Sequence, residues 1–122
     1  MHYFIFPEKD TTIFEASSSL NSGLDEVLEI RKNVSDTGAS VDVSRILIKF
    51  DTTFFQEASS SGLIHQTGSR AAKYYLNLYD ANPKALAASQ SLYAYAISGS
   101  WDMGTGRSYD NPQTSDGCSW KY

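Results

Sequence analysis

The sequence predicts an all-β chain, with short antiparallel strands arranged as a β-sandwich or jelly roll. Three observations carry this prediction. Several segments alternate apolar and polar residues with period two. Gly-, Ser- and Asn-rich stretches separate them, as turns require. Aromatic residues make up 13% of the 122 residues, with eight Tyr and six Phe, a composition biased toward strand formers.

The elements follow in chain order. Tyr3 to Phe6 reads as a short apolar strand ended by Pro7. Thr11 to Glu15 is a second strand, bounded by Asp10 and the serines Ser17 to Ser19. Ser22 to Arg31 is ambiguous: Leu24, Val27, Leu28 and Arg31 sit at helical spacing, yet Leu28 and Ile30 also alternate with Glu29 and Arg31. Ser44 to Asp51 is the clearest strand, with Ile46, Ile48 and Phe50 on one face and Arg45, Lys49 and Asp51 on the other with Leu47. One buried and one wet face mark an antiparallel sheet. Thr52 to Ser61 holds a helical turn, and Gly62 to Arg70 is loop. Lys73 to Tyr79 alternates Tyr74, Leu76 and Leu78 with Tyr75, Asn77 and Tyr79; Ser91 to Ile97 alternates Leu92, Ala94 and Ala96 with Tyr93, Tyr95 and Ile97. These two strands are expected to pair as a hairpin, with aromatics meeting across it.

Composition excludes several function classes. A net charge of −4 with scattered basic residues gives no electrostatic footprint for nucleic acid. A single cysteine, Cys118, rules out an intrachain disulfide framework. No apolar run approaches the length needed to cross a bilayer. The apolar start lacks a basic region and a cleavage site, so it reads as a natural N-terminus rather than a signal peptide. His2 and His65 are isolated, and no nucleophile elbow, phosphate loop or zinc signature occurs. The carboxylates Asp10, Glu15, Asp25, Glu26 and Glu29 read as solvated surface, so the chain is expected not to be an enzyme and to need no cofactor.

Residues 101–122 form a long Gly-, Ser-, Asp- and Asn-rich loop bracketed by Trp101 and Trp120. Long loops of this kind are functional or disordered. Trp101, Arg107, Tyr109, Trp120 and Tyr122 are the candidate binding or interface residues. The aromatics suit packing at an interface or stacking on sugar faces, and Arg107 suits a neighbouring carboxylate. Asp102, Asp110, Asn111 and Asp116 supply hard oxygen ligands and are the candidates for a structural calcium.

Three groups of residues carry a family resemblance: Asp10-Thr-Thr-Ile-Phe-Glu15 with Asn21-Ser-Gly23 and Leu28-Glu-Ile30; Ser44 to Asp51; and the alternating strands leading to Trp101 and Ser119-Trp120. In this order they resemble the DNRLRE-type jelly-roll β-sandwich found in bacterial surface proteins and in tailed-phage structural proteins, a module related in shape to carbohydrate-binding modules. The tryptophan loop looks most like versions in large phages of marine and cyanobacterial hosts. The resemblance tips residues 26–31 toward strand. It implies a single sandwich domain over residues 1–122, the N-terminal part of a longer jelly roll whose later strands the family places after the tryptophan loop. It also implies a non-enzymatic virion protein, in the head decoration, neck or tail. Such a protein would be a homo-oligomer or bound to other virion proteins, with no nucleic acid or membrane partner. The alternative is a carbohydrate-binding adhesin module meeting a host-surface glycan.

Overall fold

The computed structural model describes residues 2–81 and 91–121. The chain forms two compact units, Met1–Phe50 with Ile97–Tyr122, and Asp51–Ala96. It is mostly β, with one three-stranded antiparallel sheet and one short helix. No second sheet forms among the described residues, much of which are coil. No helix of the described residues is long and apolar enough to cross a membrane.

In the first unit, strands β1 (Pro7–Phe14), β2 (Lys32–Val34) and β3 (Val41–Phe50) lie in the order β1-β3-β2. The expected strand at Tyr3 to Phe6 is absent. Those residues are coil, and Pro7 opens β1 instead of closing a strand, paired with Phe50. A proline is tolerated at the first position of an edge strand because no ladder hydrogen bond needs its missing N–H. A short β2–β3 hairpin, unanticipated from sequence, turns through Ser35 to Ser40, where Gly38 adopts a φ of +69°. Its N–H donates to Ser35 O at 2.7 Å.

The register sorts the side chains of β1 and β3 onto two faces. Thr12 and Phe14 share one face with Ile46 and Ser44; Lys9, Thr11 and Ile13 share the other with Lys49, Leu47 and Arg45. Thr11 and Thr12 are both buried, so both faces are covered. The covers are irregular segments. Over the Thr12 face, Glu29 N donates to Thr12 Oγ1 at 3.0 Å, and Arg31 N donates to Ser44 Oγ at 2.8 Å. Ser44 Oγ donates in turn to Glu29 O at 2.7 Å. This pattern explains why residues 22–31 are neither the helix nor the strand that the sequence leaves open. The N–H groups of Glu29 and Arg31 are satisfied by hydroxyls rather than by carbonyls of a ladder. The expected strand over residues 26–31 therefore gives way to coil, and regular pairing starts only at Lys32.

The second unit contains helix α1 (Thr53–Ser60). Thr52 is its N-cap residue and makes no side-chain cap bond; the carboxylate of Asp51, one residue earlier, accepts from Thr53 N at 2.8 Å. Gly62, with a φ of +73°, closes its end. The strands expected at 73–79 and 91–97 do not form: the residues are coil and exposed. The connection of the expected hairpin, 82–90, lies outside the described residues. Tyr74 meets Phe55 of α1 edge-to-face at 5.6 Å. On the opposite parity, Tyr75 and Tyr79 are 77% and 92% exposed, against 53% and 52% for Leu76 and Leu78.

Candidate functional site

The candidate residues of the 101–122 loop are held in the first unit by a buried polar hub, Asn21. Its side chain is fully buried. Asn21 Nδ2 donates to Met103 O at 2.7 Å and to Cys118 O at 3.0 Å. Asn21 Oδ1 accepts from Gly106 N at 2.8 Å and Gly23 N at 3.2 Å. One carboxamide thus uses both donors and both lone pairs, across separations of up to 97 residues. Backbone bonds complete the cage: Leu24 N to Gly106 O, Cys118 N to Asp102 O and Lys121 N to Ser18 O. The glycines are there because nothing larger fits. A Cβ on Gly23 would overlap the Met103 carbonyl, and one on Gly106 would overlap Asn21.

The cage sets where each candidate residue points. Trp101 and Trp120 both approach the odd-numbered face of the sheet, with a cation over each ring. Lys9 Nζ lies 4.8 Å from the Trp101 ring centre and the Arg45 guanidinium 4.7 Å from that of Trp120. Lys9 also donates to Trp101 O and pairs with Asp102 at 3.7 Å. Each cation–π contact contributes about 0.5–1 kcal/mol at a partly exposed site. Each indole therefore has a cation from the sheet lying against one of its faces. Tyr122 lies outside the described residues.

Arg107 and Tyr109 stand together apart from the tryptophans. Arg107 Nη1 donates to Tyr109 Oη at 2.7 Å, and Asp110 accepts from Arg107 N at 2.8 Å. The bond to the Tyr109 hydroxyl, followed by the charge of Tyr109 and more weakly of Asp110 and Glu26, holds the Arg107 pKa above its ordinary value. Tyr109 and Ser108 form one wall of an open groove of about 410 Å³; Phe14, Leu24 and residues 25–29 form the rest. Ser108 N donates to Asp25 Oδ1 at 3.0 Å, so the groove is tied across its width.

The three acidic calcium candidates each have a partner within the protein. Asp116 accepts from Thr105 N at 3.0 Å and from Thr105 Oγ1 at 2.7 Å, which holds its carboxyl below the ordinary range. Asp110 is engaged by Arg107 and Thr114, and Asp102 faces Lys9. No group of three or more His, Cys, Asp or Glu side chains placed to hold a metal ion occurs among the described residues. Burial pushes the Cys118 thiol pKa up, against the activation a nucleophile needs.

Sequence reasoning passed over Asn21 as a hub and Ser22 as an edge group. Ser22 Oγ accepts from Thr12 N at 3.2 Å and donates to Thr12 O at 2.7 Å, standing where a neighbouring strand would pair with β1. The available signal was the Asn21-Ser-Gly23 turn together with four glycines at 99–117. No protein-family model, no curated protein and no solved structure matches the chain.

Proposed function

We propose that the chain is a non-enzymatic structural subunit of a tailed-phage virion, in the head decoration, neck or tail. The virion context comes from the sequence resemblance to DNRLRE-type modules. The docking mode rests on one observation: residues 73–79 and 91–97 have the alternating Tyr- and Leu-rich pattern of strands, yet form none and stay exposed. In this reading they become strands when they meet neighbouring subunits, and the three-stranded sheet is one layer of a jelly-roll sandwich. Ser22 supports the same division of labour, because it occupies the β1 edge and leaves that strand unsuited to docking. Mass spectrometry of purified virions whose genome carries this sequence is expected to recover the chain. Immunogold labelling is expected to place it on the particle surface. Particles that lack it would end the proposal.

A carbohydrate-binding adhesin module is the second reading, favoured by the groove beside Tyr109. An exposed tyrosine ring with Asp25 and Glu26 nearby offers a stacking face and hydroxyl acceptors. Titration with oligosaccharides, read through chemical shifts of Tyr109 and Ser108, tests it. No shift at millimolar sugar removes this reading.

A further inference from the structure

We propose that Asp116–Gly117 is a site of spontaneous isomerisation to isoaspartate, guarded by Thr105, whose conversion undoes the Asn21 cage. This chemistry is separate from any assembly role. Asp116 is the only Asp in the chain followed by Gly, and no Asn is. Glycine has no side chain to shield its own amide nitrogen, and Asp116 is exposed to the water that the reaction uses. The Gly117 nitrogen attacks Asp116 Cγ. The N–Cγ bond forms, and the hydroxyl of the neutral acid leaves as water with the amide proton. One water then opens the resulting succinimide at either carbonyl. Opening at the main-chain carbonyl gives isoaspartate, an isomer that carries its Cβ in the main chain. Nothing is oxidised or reduced.

The fold opposes the first step and has no room for the product. Thr105 N and Thr105 Oγ1 donate to the two oxygens of the Asp116 carboxylate at 3.0 and 2.7 Å. Both bonds favour the ionised form, which has no hydroxyl to lose. They also restrain the side-chain rotation that ring closure needs. Gly117, at a φ of +74°, packs against Gly104, and a Cβ on either glycine would overlap the other's segment. Next along, Cys118 N donates to Asp102 O at 2.8 Å, and Cys118 O accepts from Asn21 Nδ2 at 3.0 Å. An extra main-chain carbon between residues 116 and 117 therefore enters where the chain is held on both sides, and it displaces a carbonyl that the hub grips.

The test ages the full chain at mildly acidic pH and follows isoaspartate in the tryptic peptide Ser108–Lys121. Electron-transfer fragmentation separates conversion at Asp116 from conversion at Asp110. The native chain is expected to convert about tenfold more slowly than the same chain in guanidinium chloride. Thr105→Ala keeps the backbone bond and loses the hydroxyl, so it is expected to convert about threefold faster than the native chain, with Thr105→Ser staying near it. Each rate is read beside hydrogen exchange at the Gly106 amide. Acceleration in Thr105→Ala with that exchange unchanged supports the guard; acceleration only together with faster exchange reports a loosened fold and overturns it. A native rate equal to the denatured one, or a Thr105→Ala rate equal to the native one, overturns it as well. The converted chain, isolated by chromatography, is expected to exchange its Gly106 amide about tenfold faster. A converted chain with native exchange overturns the claim that the product undoes the cage.

Discussion

Replacing Asn21 by alanine removes one carboxamide and four hydrogen bonds. The carbonyls of Met103 and Cys118 and the N–H groups of Gly23 and Gly106 lose their partner together. A buried polar group left unsatisfied costs about 1–3 kcal/mol, so a cage that stayed rigid and dry would lose roughly 4–12 kcal/mol. Water entering the vacated space recovers part of this, and single substitutions seldom exceed about 4–5 kcal/mol. The expected loss is about 3–5 kcal/mol, a large share of the stability of a small unit. The assay is urea unfolding followed by tryptophan emission. Trp101 and Trp120 are the only tryptophans in the chain, so the signal reports the caged segment. Hydrogen exchange at the Gly106 amide gives a second, local readout. Asn21→Asp sharpens the test: it keeps acceptors for Gly23 and Gly106 but sets carboxylate oxygen against two carbonyls, and is expected to be at least as harmful as alanine at neutral pH. A loss under about 1 kcal/mol for Asn21→Ala, with unchanged exchange at Gly106, would refute the hub.

Gly23→Ala is expected to cost about 1–3 kcal/mol, since its Cβ overlaps the Met103 carbonyl; Gly99→Ala, in open space, is expected to stay within about 0.5 kcal/mol, both read by the same unfolding curves. Asp116 has a folded pKa below its ordinary value of 3.8. Whatever stability it contributes is present above that ordinary value and is lost as pH falls through the lower folded value, so an NMR titration should find its midpoint depressed; Thr105→Ala, which removes the hydroxyl but keeps the backbone N–H that contributes most, should move it only part of the way back. Cys118 has a raised folded pKa, so its stabilising effect is complete below the unfolded value of 9.0 and is lost as pH rises toward the folded one. At pH 8 the native thiol is expected to react with a disulfide reagent more slowly than it does in urea.

The sheet was legible where one strand alternates cleanly. Ile46, Ile48 and Phe50 against Arg45 and Lys49 place the core of β3 and sort its side chains, although the strand begins at Val41 rather than Ser44 and the face expected to be wet is covered at Thr11. Pairing partners and ends were less so. Pro7 looks like a terminator in sequence but opens β1, because an edge position has no use for its missing donor. Residues 26–31 hold a period compatible with strand, yet the hydroxyls of Thr12 and Ser44 claim their amides first. The tyrosine segments show the reverse case: their pattern is that of strands, but alternation records a capacity to pair and does not supply the partner. In the C-terminal loop, aromatic content singled out the tryptophans, whereas the organising residue is one asparagine with an ordinary polar context. Its role depends on contacts 82 to 97 residues away, which no local window contains.

That separation also orders events in time. When Asn21 is added to the growing chain, the carbonyl of Cys118 that it will hold is still 97 residues from being made. At 5–20 residues per second this is roughly 5–20 s of synthesis. β1 and β3 are complete by residue 50, so the sheet can assemble while its hub still faces water. Trp101 and Trp120 are made well after the sheet, so the rings that Lys9 and Arg45 cover are added to a sheet already complete in sequence. A stall or truncation before residue 103 would release a sheet with its asparagine unclaimed, a defined substrate for quality control.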